Sequence, residues 1–459
     1  MKILVCVKVI KGEVNPFDQS ALECALSLSD DVEVITMGPE SNKNVLLPLT
    51  RLGAKVTLIT DKLFAGSDTL VTSYILSEAI KKKEYDLILC GRQSVDGDTA
   101  QVGPMLAERL GISLITNAVS LKVDSEVVAK TRNGQEKADL PALVTLERGY
   151  VLRFPGIFSK VKDVNILSNE DIMCDPERCG LKGSPTKVLA TFENEKGKRK
   201  CKFISLDEFL PLIEELKEKN QRKTEDVYTG EKLNCVWAIG KEVLPYAQKI
   251  SEKTVLIEKL SPEEIIKLIE KEKPETVLWN ADLWGRKYAP FVAAALETGL
   301  CADCTSLEAE NGKLIMYRPA QGGNITAKIK CETYPQMATV RTKTDSSQIV
   351  ISGGKGVAES FDKLEKIANL LGAEIGASRG LVDMNRVPYE KQIGLTGKTV
   401  SPKIYVAVGI SGAVHHTCAI EGAETVIAVN PDKDARIFEY SDYGILITTE
   451  KLYEKLIRD

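Results

Sequence analysis

Histidine is nearly absent from this chain: among 459 residues only His415 and His416 occur. Any imidazole-based metal site, proton relay or nucleophile–base pair is therefore confined to that one dipeptide. Long apolar runs are missing too. None approaches the ~20 residues that cross a bilayer as a helix, so no membrane span is expected. The opening Met1–Val7 is too short for a secretory core, is not followed by a small-residue cleavage site, and reads as a buried strand. There is no surplus of basic charge. The 61 Lys and Arg against 65 Asp and Glu leave a net charge of −4, which argues against nucleic acid as the main partner. The 11 cysteines lack zinc spacing. Cys174/Cys179 and Cys301/Cys304 are the closest pairs, and neither is joined by a second pair. No metal site is expected, and the thiols read as reduced cysteines of a cytoplasmic protein.

What the chain does have is length and a βα rhythm. Its length predicts several domains. Strands are predicted at Lys2–Val9, Val32–Met37, Val56–Thr60 and Asp86–Cys90, separated by helices at Pro16–Ser29, Asn42–Leu52 and Thr69–Lys82. Asn15 is the expected N-cap of the first helix, with Pro16 at its first position. The strands are continuously apolar, which indicates a parallel sheet covered on both faces. The rhythm stops after Asp163. A charged amphipathic helix follows at Leu206–Lys219, then a polar, linker-like stretch at Asn220–Lys232. A second α/β unit begins near Cys235, with a helix at Pro262–Glu272, a strand at Thr276–Trp279 and a helix at Tyr288–Gly299. The predicted fold is α/β, with three domains of mostly parallel sheets at 1–225, 226–343 and 344–459.

The last of these carries the most informative pattern. Glycine-punctuated turns follow one another at Val350–Gly356, Gly376–Arg379, Ile393–Lys398 and Tyr405–His416. Each ends a β-rich apolar run. Backbone N–H groups of such turns hold phosphate without lysine, which leaves Arg379, Thr396 and His416 for the reactive end of one large phosphorylated ligand. Taken singly, each feature has a plainer reading. Arg379 alone would be a surface ion-pair residue, His416 alone a hydrogen-bonded structural histidine, and Asp98-Thr99 an ordinary helix N-cap. The series of turns reverses those readings.

With these segments placed, the chain resembles an electron transfer flavoprotein whose beta and alpha subunits are joined in one polypeptide. Beta-like stretches are Asn15–Asp18 (NPFD), Gly91–Pro104 (GRQSVDGDTAQVGP), Leu140–Gly149 and Gly180–Thr186. Alpha-like stretches are Ala302–Glu308 (ADCTSLE), Arg318–Asn324 (RPAQGGN), Pro335–Arg341 and the run from Val350 to Tyr443. The resemblance implies a Rossmann-like FAD-binding last domain and a flavoprotein role in electron transport, tied to fatty acid or acyl-CoA redox metabolism. It implies FAD contacts from Ser352, Gly353, Ser378, Arg379, Gln392, Thr396, Gly397, Ser411, Gly412, His416 and Asn430. Arg379 would lie beside the isoalloxazine, Thr396 at its N5 and His416 at its O2. Reduction puts negative charge on the ring edge. Two unit charges ~4 Å apart interact by roughly 4 kcal/mol at an effective dielectric of ~20. One such cation moves a flavin potential on the order of 100 mV, since ~59 mV is tenfold in a one-electron equilibrium.

The resemblance also implies a second nucleotide, FAD or AMP, on the Gly91–Pro104 loop, with Val7, Asp96, Thr99, Gln101 and Val102 as contacts. Its wording is closer to that of electron-bifurcating members, which use NADH and ferredoxin. An extra segment that the family's beta subunits usually carry between the first strand and the NPFD motif is missing here, which counts against NADH-driven bifurcation, and Leu395 stands where glutamine is usual. Docking on an acyl-CoA-dehydrogenase-like flavoprotein is implied through Tyr150–Lys162, with Phe154 and Pro155 as the anchor. An edge strand guarded by lysines is the plainer reading of that segment. The leading function is therefore a single-chain electron carrier. The alternatives are an NADH-dependent bifurcating enzyme with two FADs, and a nucleotide-binding sensor or scaffold without catalysis.

Overall fold

Runs of β-branched and aliphatic residues become buried parallel strands in the computed structural model, which describes residues 1–131, 134–193, 199–218, 230–320, 325–342, 348–384, 386–395 and 397–458. Thr396 lies outside the described residues. So do 219–229 of the expected linker, 321–324 of the RPAQGGN stretch and 343–347 of the segment before the last domain. The chain gathers into two compact units. The first comprises Met1–Phe192, Tyr228–Gln321 and Thr326–Arg341; the second comprises Glu193–Val227, Gly322–Ile325 and Thr342–Asp459.

The first unit holds a nine-stranded sheet. Its order is 165–167, 55–59, 31–37, 2–6, 87–91, 142–146, 113–123, 126–131 and 134–139. Pairing is parallel across the centre, with Ile3 opposite Val32 and Leu87, and Cys6 opposite Ile35 and Cys90. The chain fills one flank from Lys2–Cys6 and then returns to the other at Leu87–Gly91. The topological switch point, where such sheets bind ligands, lies between those two strands. The last three strands instead form an antiparallel meander. Burial alternates along the strand Glu126–Thr131, as a half-covered sheet requires.

Helix Pro16–Leu28 buries Phe17, Ala21, Leu22, Cys24 and Ala25 against this sheet. Asn15 occupies its N-cap position but makes no cap bond. Its amide donates to the Gln93 carbonyl (2.9 Å) and accepts from Val95 N–H (3.3 Å), so it ties down a distant loop. Helix Thr69–Ile80 is capped by Asp68, which accepts from Val71 N–H at 3.0 Å. A five-stranded parallel sheet of the same unit runs 251–257, 233–239, 276–280, 336–340 and 300–304. Helices Pro262–Glu272 and Leu283–Ala295 cover it. The second of these starts earlier than expected because Asp282 caps it through Gly285 N–H at 2.8 Å.

The second unit holds a seven-stranded sheet ordered 202–203, 443–445, 425–429, 404–408, 349–353, 374–378 and 392–393, parallel throughout. From the strand Ile349–Gly353 the chain winds outward through 374–378 and 392–393. It then crosses back to 404–408 and continues to 443–445. This is the doubly wound order of dinucleotide-binding domains, with its switch point between Ile349–Gly353 and Ile404–Val408. Lys202–Phe203 extends the far edge. The helix Phe209–Glu218 behind it buries Phe209, Ile213 and Leu216 in the core of this unit, at about 2 kcal/mol for each such side chain.

Candidate functional site

In the second unit the glycine turns cap the carboxyl ends of the strands at the switch point. A Cβ on Gly354 would sit 2.1 Å from the Gly409 carbonyl oxygen. Only glycine lets the two strand ends meet there, and Gly354 N–H can then donate to the Val408 carbonyl at 2.8 Å. Gly412 has φ +87°, and a Cβ on it would lie 2.2 Å from Ile437 N. Ile437 N–H donates to the Ser411 carbonyl at 3.2 Å. Asn430 is buried. Its amide donates to the Ile410 carbonyl (3.0 Å) while its oxygen accepts from Asp432 N–H (2.9 Å), which fixes the turn after the strand Thr425–Val429.

The sequence-predicted residues gather at this end. Gly353 pairs in register with Ala377 and Val408, and Ser378 pairs with Ile393 next to Gln392. Ser352, Gly353, Gln392, Gly412, His416 and Asn430 are buried, Ser378, Arg379 and Gly397 are half-exposed, and Ser411 is exposed. Arg379 opens a short helix and its Nε donates to Asp383 at 3.1 Å. Leu395 N–H donates to the His415 carbonyl at 2.6 Å, drawing the end of the strand Gln392–Ile393 against the histidine turn. Small residues, close-approach glycines and one arginine at the mouth of a dinucleotide crevice suit an FAD.

His416 points inward. Nδ1 lies 3.1 Å from the Ile393 carbonyl and Nε2 lies 2.8 Å from the Tyr405 hydroxyl. A carbonyl only accepts, so Nδ1 carries the proton and Nε2 accepts from Tyr405. Burial pulls the imidazole down to about 4, against the supporting bond to Ile393. The ring is neutral at pH 7, so it brings no positive charge to the crevice.

The first unit carries a cavity of about 420 Å³ at its own switch point. Val7, Thr99, Gln101 and Val102 line it, as expected. Asp96 does not; it pairs with the lining residue Lys8 at 2.7 Å. Among the wall residues that the sequence reading missed, three bear on its chemistry. Asp18 accepts from Lys8 N–H (2.8 Å) and Gly91 N–H (3.0 Å), which braces the ends of the two strands that flank the crevice. Burial lifts its carboxyl to about 7 despite those donors. Arg318 donates to the carbonyls of Gly97 (2.8 Å) and Asp98 (3.2 Å) and holds the loop that bears both left-handed residues, Asp98 and Ala100. Its buried Nε–H has no partner among the described residues, so a donor is left over for a ligand. Cys301 is the third. NPFD and RPAQGGN contain the first two of these residues, but nothing in those motifs says that they meet at one wall. Gln101 is held in place, accepting from Thr69 Oγ1 (2.6 Å) and donating to the Leu300 carbonyl (3.0 Å).

The docking segment has no regular structure, so the edge-strand reading of it falls. Phe154 and Phe158 are each 95 % exposed, beside exposed Val151 and Ile157. Arg153 is spent on Glu23, at 2.7 Å.

No helix among the described residues is long and apolar enough to cross a membrane. They also hold no cluster of potential metal ligands. A family profile for the electron transfer flavoprotein domain matches residues 3–151 and 263–364. The electron transfer flavoprotein FAD-binding domain matches residues 343–421. The chain is 36% identical over 242 residues to the electron transfer flavoprotein subunit alpha of Thermoanaerobacterium thermosaccharolyticum, covering 42% of this chain and 73% of that protein. It is 41% identical over 197 residues to the subunit beta of Clostridium acetobutylicum, covering 40% of this chain and 76% of that protein. With the subunit beta of Megasphaera elsdenii it shares 39% identity over 235 residues, 42% of this chain and 87% of that protein. The crevice, its turns and these matches agree: the chain belongs to the electron transfer flavoprotein family, is an FAD-binding flavoprotein of electron transport, and holds sequence related to both subunits in one polypeptide.

Proposed function

We propose that this chain carries electrons between flavoprotein dehydrogenases of the acyl-CoA-dehydrogenase type and a second redox protein. Its FAD is held by Ser352, Gly353, Ser378, Arg379, Gln392, Thr396, Gly397, Ser411, Gly412, His416 and Asn430. Bound FAD supplies the reversible redox chemistry; the protein supplies position and charge. The observation that carries this reading is the doubly wound sheet whose glycine turns meet at the switch point beside Arg379. Arg379 offers fixed positive charge to a ring that becomes negative on reduction. Neutral His416 is held rigid by Tyr405 and Ile393 and offers orientation rather than charge. The exposed aromatic pair Phe154 and Phe158 fits a hot-spot anchor for the dehydrogenase partner.

A second reading is favoured by one observation, the leftover Arg318 donor in the cavity of the first unit. An anionic nucleotide there, FAD or AMP, satisfies it. With a second FAD the chain would be an NADH-dependent bifurcating enzyme passing electrons to ferredoxin. The simple carrier is placed first because Val9–Ile10 and Glu13–Val14 form a tight hairpin, with no chain left over to build an NADH site. The deciding experiment is the identity and number of nucleotides released on denaturing the purified protein, together with NADH bleaching. One FAD plus AMP and no bleaching supports the carrier. Two FADs with bleaching supports the bifurcating enzyme. A protein that binds no FAD overturns both.

A further inference from the structure

The strand Leu300–Cys304 is interrupted by a bulge. Its pairing with Gln336–Val340 runs Cys301 opposite Ala338 and Cys304 opposite Val340, so three steps on one strand match two on the other. Asp303 takes up the extra residue with φ +57°. Two steps along a strand return to the same face, so the bulge turns both thiols to one side. Both cysteines pack in one apolar cluster, and Cys304 Sγ is 3.7 Å from the Cys301 carbonyl. Asp303 is clamped by Arg286 (2.9 Å) and Arg341 (3.1 Å), which pins the bulge in place.

Both cysteines are buried, but Cys301 forms part of the wall of the 420 Å³ cavity and Cys304 does not. They also differ in ionisation. The bond from Cys304 and then the charge of Arg318 lower the Cys301 thiol in spite of burial, whereas burial raises Cys304. A thiol of lowered pKa at the wall with a second thiol next to it is the arrangement of an attacking and a resolving cysteine.

The geometry points to a redox-active dithiol, Cys301–Cys304, that closes to an intrachain disulfide by exchange with a low-molecular-weight disulfide entering the cavity. Cys301 Sγ attacks one sulfur of the reactant, forms a mixed disulfide and expels one thiolate. Cys304 Sγ then attacks Cys301 Sγ and expels the second. The two cysteines lose two electrons in all, the reactant gains them, and the two protons leave with its thiols. The disulfide reaches Cys301 through the cavity that takes the nucleotide, so bound nucleotide slows the exchange whichever nucleotide it is.

Glutathione disulfide is the probe, added to the full chain at pH 8 and followed by peptide mass mapping. Trypsin releases Tyr288–Lys313, which contains Cys301 and Cys304 and no other cysteine. The wild-type peptide is expected to lose two hydrogens, and to regain them with dithiothreitol. Cys304→Ser is expected to stop at a glutathione adduct on Cys301, and Cys301→Ser to leave Cys304 unmodified. A wild-type peptide that stays at its dithiol mass after the nucleotide of the first unit has been removed, or an adduct that forms first on Cys304, overturns the proposal. Neither result bears on the nucleotide count, so a failure here is distinct from a failure of the flavin assignment.

Discussion

Acidification tests the position of His416 directly. In the folded chain the buried imidazole holds its proton only below about 4, against an ordinary value of 6.5. The unfolded chain therefore binds a proton at this residue as pH falls through 6.5, while the folded chain does not until about 4. By linkage, the stability due to the neutral buried ring is fully present above pH 6.5 and is lost progressively between 6.5 and 4. The fall corresponds to about 3 kcal/mol. Urea unfolding of the second unit, followed by the flavin signal, should show this loss. His416→Gln keeps a neutral hydrogen-bonding side chain and should remove about that much of the pH dependence. Because the chain has only two histidines, ring NMR can assign the titration without ambiguity. A His416 resonance that titrates near 6.5, or an unfolding profile in which the variant and wild type share one slope from pH 6.5 to 4, would refute an inward, neutral ring.

Other consequences can be checked in parallel. Arg379→Ala should lower the flavin potential on the order of 100 mV; a spectroelectrochemical titration that is unchanged counts against its place beside the ring. Gly354→Ala drives a methyl group into the Gly409 carbonyl. It should cost more than the ~1–3 kcal/mol of ordinary overpacking, with loss of FAD in proportion, read by thermal denaturation and absorbance. Phe154→Ala should slow electron transfer to a dehydrogenase partner several-fold with flavin content unchanged, and an equal loss of bound flavin would remove the docking role. Arg318→Gln should release whatever nucleotide fills the first unit while the FAD of the second unit is retained, as counted by chromatography of the denatured protein.

The strands that carry continuous apolar runs were legible from sequence, because a strand buried on both faces needs nothing but aliphatic residues. Lys2–Cys6, Leu87–Gly91 and Thr276–Asn280 belong to that class. Helix Pro262–Glu272 was legible to the residue because Ser261 and Glu264 form a capping box around Pro262. The meander at 113–139 was not legible. Its strands are polar on one face, and its alternating period was lost among charged residues. The glycine turns announced the crevice, but the direction of each side chain within it depends on tertiary neighbours. His416 turns inward because Tyr405 and Ile393 await it from other strands. Arg318 reaches a loop some 220 positions upstream, and no local pattern encodes that meeting.

The edge strand Lys202–Phe203 and the helix behind it come from the chain before the middle sheet, yet they finish the outer flank of the carboxy-terminal sheet. During synthesis that flank must wait for its partner, because the early piece emerges long before the strands it completes. A cut between the two would leave fragments that restore the flavin site only by complementation in trans. A terminal fragment beginning after residue 343 would expose the seats of Phe209, Ile213 and Leu216 to water and invite self-association.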